Sequence, residues 1–201
     1  MLTFIPFKSK GFIFLISRCS TSIKIRRYIS NLQTKIIRDE FSDTYTLYKK
    51  IHRDDLDENR RVLPAVINAR YQSWYKNGKI HKNDLDENGR ILPAFIWTDG
   101  TQIWYKNDKK HRNDRDENGR VLPARIYRNG DPYWYKNGKC HRDDLDENGR
   151  VLPAIINSDG SQYWYKNGVL HRDDRDENGR VLPAVIGRNG DKYWVDNGNE
   201  I

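Results

Sequence analysis

Five tryptophans, Trp74, Trp104, Trp134, Trp164 and Trp194, follow one another at intervals of 30 residues, and no other feature limits the fold of this chain as tightly. The five histidines, His52, His81, His111, His141 and His171, keep nearly the same interval. A fixed period of this size marks a repeat array, in which each unit buries its apolar side against its neighbours and the structure grows along one axis. A full unit begins at Tyr135-Lys136-Asn137-Gly138 and passes through a polar run, His141 to Arg150. It continues into Val151-Leu152-Pro153-Ala154-Ile155-Ile156 and closes at Ser161-Gln162-Tyr163-Trp164. Hydrophobic residues make up 36% of the 201 residues and the mean hydropathy is −0.95, which suits a thin structure with few enclosed positions.

The formal charge of +8 first suggests an anionic partner, but its distribution argues against one for the repeats. Residues 1–38 hold eight of the 36 lysines and arginines and no acid, so the other 28 basic residues balance the 28 acidic ones. A neutral array makes nucleic acid an unfavoured partner and confines membrane contact to residues 1–38. That leader is rich in Arg, Lys, Ser and Ile, and Arg26-Arg27-Tyr28-Ile29-Ser30 is similar to the region before a mitochondrial presequence cleavage point. An amphipathic surface-seeking segment, a secretory signal using Gly11 to Ser17 as its apolar stretch, and a tail without targeting value are the competing readings. Cys19 and Cys140 lie in different regions, so a disulfide framework is not expected and no oxidising compartment is required.

Residues 39–47 are polar and are expected to form a linker. Residues 48–74 form a first, irregular unit: the Asn-Gly of its siblings is missing, Arg60 replaces a turn glycine, and Asn68-Ala69-Arg70-Tyr71 is one residue short. Such irregularity is expected of a capping repeat. Full units follow at 75–104, 105–134, 135–164 and 165–194, and 195–201 form a terminal cap in which Val195-Asp196 replaces Tyr-Lys.

Within a unit, Asn148-Gly149, Asp159-Gly160 and Asn167-Gly168 are turn pairs that accept positive φ. Between them lie two strand-sized segments, Arg150 to Asn157 and Ser161 to Lys166, rich in β-branched and aromatic residues. Together they predict one hairpin per unit, and no stretch with a 3.6-residue period interrupts them. The positions of Leu152, Ala154 and Ile156 are Leu, Ala and Ile in all five copies, so they are expected to share a constant, packed face. The alternate positions vary, Ile155 becoming Arg125 in the third copy, and are expected to be at least partly exposed. Pro153 cannot donate to a ladder and belongs at a strand start, a bulge, or a place where no partner faces it.

The most suggestive chemistry is Asp144-Leu145-Asp146-Glu147-Asn148-Gly149-Arg150-Val151, which fits the first eight positions of a calcium loop. The same pattern recurs at Asp84, Asp86, Asn88 and at Asp174, Asp176, Asn178. The twelfth position, which supplies a bidentate Glu in such loops, is Ile155, Phe95 or Val185 instead. A polar turn built on Asp and Asn is the plainer account, with calcium binding as the alternative.

The histidines stand singly, each beside Arg or Lys, whereas zinc requires three or four converging ligands. A structural histidine bonded to a neighbouring repeat is the favoured reading. Equivalent copies of His-Arg-Asp-Asp also make poor evidence for one active site, so no catalytic residue and no cofactor is expected. The Tyr-Trp-Tyr segments could form a stacking stripe, Trp164 lying between Gln162 and Lys166, although covering a thin sheet is the simpler role for a tryptophan ladder.

Tyr163-Trp164-Tyr165-Lys166-Asn167-Gly168, followed by His171-Arg172-Asp173-Asp174 and Leu182-Pro183-Ala184-Val185-Ile186, resembles a MORN-type repeat variant found in uncharacterised proteins, notably of large DNA viruses. The resemblance covers roughly residues 45–198. Here about seven extra residues, from about Leu145 to Leu152, lengthen the tip, and the glycine spacing departs from the standard repeat. The resemblance implies an elongated antiparallel array of hairpins and an interaction, membrane-apposed or scaffolding role. It supplies no catalytic residue.

Both lines converge on an all-β chain: an elongated, single-layer antiparallel sheet of five hairpin repeats. The expected function is a non-enzymatic interaction or scaffold module with a protein partner. Trp97, Trp104, Trp134, Trp164, Tyr127 and Arg125 are the candidate partner surface.

Overall fold

The computed structural model describes residues 34–38, 42–47 and 50–200, and these contain strands and turns but no helix. The leader reading falls on residues 1–33 for the most part and so lies outside the described residues. One long antiparallel sheet organises the rest. Its path of twelve strands starts with Thr34–Arg38 and Ser42–Leu47 and then takes two strands from every repeat. In the fourth repeat these are Ile155–Ile156 and Gln162–Tyr163. Each pair is closed by a four-residue turn such as Asn157 to Gly160, where Gly160 N–H donates to the Asn157 carbonyl. At the usual strand spacing, twelve strands extend about 50 Å.

Adjacent residues of a strand face opposite sides, so the pairing defines two rows across the sheet. One row runs Ser73, Phe95, Ile103, Arg125, Tyr133, Ile155, Tyr163, Val185, Tyr193. The other alternates mainly isoleucine with glutamine: Gln72, Ile96, Gln102, Ile126, Pro132, then Ile156, Gln162, Ile186, Lys192. Between the rows and the tips sits the alanine of each Pro-Ala pair. Ala65, Ala94, Ala124, Ala154 and Ala184 are all essentially inaccessible. Any larger side chain there would overpack the array.

Two expectations about the strands are corrected. Ser161 to Lys166 is not one strand, because Trp164 interrupts it: Gln162–Tyr163 stays in the long sheet, whereas Tyr165–Lys166 pairs with Val169–Leu170 in a separate hairpin. The physical reason is that Trp164 N–H donates to the carbonyl of Ala184 in the next repeat, which turns the chain out of the sheet. Four full repeats therefore contribute two hairpins each. The second hairpin turns on Asn-Gly with both residues at positive φ, as at Asn137 (53°) and Gly138 (88°), the geometry that tight two-residue loops demand.

The second correction concerns the presumed linker. Ser42–Leu47 is a strand, paired on one side with Thr34–Arg38 and on the other with Val66–Asn68 of the first repeat. The first repeat is thus extended by further strands, which moves the sheet edge at that end from Val66–Asn68 to Thr34–Arg38. Residues 50–74 keep the unit's shape despite their irregularities: Arg60, at φ 60°, takes over the glycine's left-handed conformation.

Candidate functional site

The polar run from His141 to Arg150 carries nearly all the side chains with chemical potential, and its copies stack along the array. Each tip is a tight reversal. Asp146 N–H donates to the Arg150 carbonyl, Leu145 bridges Val151, and Gly149 N–H returns to the Asp146 carbonyl. The Asp146 carboxylate accepts from the backbone N–H groups of Asn148 and Arg150, both at 2.9 Å. These bonds hold its carboxyl below the ordinary aspartate range, as they do at Asp86 and Asp176. Asn88, Asn148 and Asn178 supply backbone donors to this turn.

The first aspartate of the motif faces the other way. Asp84, Asp114, Asp144 and Asp174 accept from the backbone N–H of Val62, Ile91, Val121 and Val151, each in the preceding repeat. The residues that fit a calcium-loop pattern are therefore divided between two tasks, closing the tip and fastening it to its neighbour. Among the described residues no three His, Cys, Asp or Glu side chains converge as a metal-ligand set.

Histidine completes the junction. His141 Nδ1 accepts from Asn167 N–H at 3.1 Å, and His52, His81, His111 and His171 do the same for Asn77, Asn107, Asn137 and Asn197. An acceptor at Nδ1 fixes the neutral ring as the Nε2–H tautomer. Nε2 then meets Asp54 at 2.8 Å from His52 and Asp143 at 2.6 Å from His141. Burial, with Lys76 near His81 and Lys106 near His111, pushes both of these imidazoles below the usual histidine value. The histidine ladder is thus a set of bonds between repeats, as its solitary members suggested.

A second ladder was not anticipated. The residue after each histidine is a buried cation: Arg53, Lys82, Arg112, Arg142 and Arg172. The Arg142 guanidinium lies 3.7 Å from the Trp134 ring centroid, donates through Nε to Asp144 at 3.1 Å, and donates through Nη1 to the Pro153 carbonyl at 3.2 Å. Arg112 and Arg172 repeat all three contacts. Lys82 keeps only part of the arrangement, 3.6 Å from the Trp74 centroid and 3.9 Å from Asp84, and burial pushes its pKa down to about 8. The recurrence of His-Arg or His-Lys two positions before an aspartate was the available signal in the sequence.

This geometry corrects part of the candidate partner surface. Trp104, Trp134 and Trp164 are 5%, 7% and 4% exposed, so they are interior residues. Their indole N–H groups donate to the carbonyls of Ile91, Val121 and Val151. A ring held between a cation and a backbone carbonyl cannot also offer its face to a partner. The other three candidates remain on the surface. Trp97 is 37% exposed and clusters with Tyr71 and Phe95, at centroid distances of 5.5 and 5.2 Å. Tyr127 and Arg125 are half-buried, with the guanidinium 3.8 Å from the Tyr127 ring centroid.

A concavity lies between the tips of the third and fourth repeats, a groove of about 720 Å³ lined by both signs of charge, including Arg115, Arg120, Lys136, Asp143 and Glu147. Lys136 and Asp143 are ion-paired across it at 2.6 Å. Such a groove is wide and polar, unlike the mostly apolar clefts that enclose small ligands. A scan of protein-family models and a search of curated proteins each find no match to this chain.

Proposed function

We propose that the chain is a non-enzymatic repeat protein acting as an interaction or scaffold module for a protein partner. One observation carries this reading: the histidines and aspartates of the polar runs, the groups that suggested catalysis or metal binding, are already committed to a neighbouring repeat or to their own turn. The histidine, the first aspartate and the buried cation hold one junction together, and their bonds recur with the same geometry. Catalysis needs a group free to change its bonding during the reaction. The copies differ instead at surface positions near the sheet turns, where Trp97, Tyr127, Asn157 and Gly187 are equivalent. A regular frame with variable exposed positions is how repeat arrays present a binding surface, and the MORN-type resemblance points the same way.

The test is affinity capture with the full tagged chain and with a Trp97→Ser/Tyr127→Ser variant, from cells that express the protein. The expected result is a stoichiometric protein partner retained by the first and lost from the second, with both chains equally stable. A partner held equally by both would remove these residues from the surface, and capture of none would count against the module reading.

A further inference from the structure

The third repeat departs from its siblings at two positions whose charges act on each other. The residue that ends each Asn-Gly hairpin is Ile80, Cys140 or Leu170 in the other full repeats, but Lys110 in the third. The first residue of the long-sheet hairpin is Val66, Phe95, Ile155 or Val185 elsewhere, but Arg125 in the third. Both substitutions exchange an apolar side chain for a cation. The Lys110 ammonium is 4.7 Å from the Tyr135 ring centroid, and the charge of Arg125 acts on both Lys110 and the Tyr135 phenol. Arg125 stands in register with Ile103 and Tyr133, beneath its own contact with Tyr127. Two cations are thus set together among Tyr105, Tyr127, Tyr133 and Tyr135.

Neither cation has an ion pair or a side-chain hydrogen bond among the described residues, and Arg125 Nε is buried without any partner. The carboxyl of Asp99 already accepts from Thr101 N–H at 2.8 Å, and is lowered by that bond and in part by the charge of Arg125; Asp108 accepts from Ile80 N–H at 2.7 Å and Asp131 from Ser158 N–H at 2.7 Å. Lys110 is depressed below the ordinary lysine range, first by burial and then by Arg125. A half-buried guanidinium whose Nε has no partner, close to a like charge, is an unfavourable arrangement unless something anionic completes it. The tyrosine faces compensate only in part.

We propose that Lys110 and Arg125 form a binding site for a phosphate group. Two adjacent positive charges match a dianion, and a guanidinium fork together with an ammonium can engage three oxygens of one tetrahedral centre. Both side chains are partly accessible, so the group can enter from solvent. The equivalent places in the other repeats are apolar and bind nothing of this kind, which makes one site per chain. The site is independent of the scaffold reading and would stand if that reading failed.

The experiment is calorimetric titration of the full chain with inorganic phosphate, and in parallel with sulfate, against chloride at matched ionic strength. Saturable binding of one oxyanion per chain is expected. Arg125→Ile and Lys110→Leu copy residues that the array already holds at the equivalent positions, so both are expected to fold. Each should weaken binding by about tenfold or more, the equivalent of one charged hydrogen bond. Each should also raise the melting temperature in phosphate-free buffer. Lys139→Ala, on the exposed part of the next hairpin, should leave the affinity unchanged. The proposal is overturned if neither oxyanion binds more than chloride does, or if Lys139→Ala weakens binding as much as the two site variants.

Discussion

Trp164 and Trp194 occupy the same place in successive repeats, and the same indole N–H bond to a valine carbonyl fixes each ring, at 2.7 and 2.9 Å. Yet Trp164 is 4% exposed and Trp194 is 39% exposed. The difference is the following repeat. Trp164 has Arg172 stacked on its ring and donates its backbone N–H to Ala184, and among the described residues Trp194 has neither kind of contact. Burial in this protein is therefore a property of junctions, and a single repeat supplies only half of the surface that encloses its own tryptophan. Stability should follow nearest-neighbour terms along the array.

The sharpest way to break that comparison is to truncate the ring at an inner and at the last position. Trp134→Ala should cost about 4 kcal/mol, in the range for a buried large aromatic, whereas Trp194→Ala should cost about 1 kcal/mol. Urea unfolding of the two variants measures both values, and equal losses would refute the junction account. Removing the stacked cation is expected to have the next largest effect. Arg142→Ala removes the closer of the two cations paired with buried Asp144 and opens a gap over Trp134, for a loss of about 3 kcal/mol. The converse change improves a junction: Lys82→Arg can form the Asp84 and Pro93 bonds that its siblings have and should gain about 1 kcal/mol.

Acid should loosen the inner junctions. His81 and His111 have folded values below the ordinary imidazole value near 6.5, so the folded state binds fewer protons than the unfolded chain as pH falls through that value. Their contribution is complete above about pH 6.5 and is lost progressively as pH falls toward the folded values. Protonation also puts a hydrogen on Nδ1 and cancels the bond from the next repeat's asparagine. Protection of the Asn107 and Asn137 amides should fall between pH 7.5 and 5.5, so that their hydrogen exchange slows by less than the intrinsic pH dependence predicts. Asn107→Pro and Asn137→Pro are unsuitable controls because both residues sit at positive φ; His81→Ala/His111→Ala should remove the extra pH dependence. The smallest expected effect is that of calcium. Because Asp144 and Asp146 already accept backbone N–H groups, millimolar calcium should leave both tryptophan fluorescence and the melting temperature unchanged.

Much of this was legible beforehand. The Asn-Gly and Asp-Gly pairs marked real turns, and the isolation of each histidine pointed to a bond across repeats. The split of Ser161 to Lys166 was not legible, because the residues on either side of Trp164 have equal strand propensity and only the Ala184 carbonyl of another repeat draws the chain aside. Ser42–Leu47 was obscured for a related reason. Its polar composition resembles a linker, and pairing with Val66–Asn68 on one side and Thr34–Arg38 on the other makes it a strand. The buried arginines were hidden by their type, since arginine is rarely enclosed unless a partner meets every face of it.

By itself the sequence determined the period, the positions of the reversals, and the all-β character, since these depend on residues near one another along the chain. Tertiary structure alone decided which polar groups are internal. Val62 N–H finds Asp84 from 22 residues away, and Asn77 N–H finds His52 from 25 residues away. Such bonds exist only when one repeat lies against the next, so no unit in isolation reveals that its histidine, aspartate and arginine are structural.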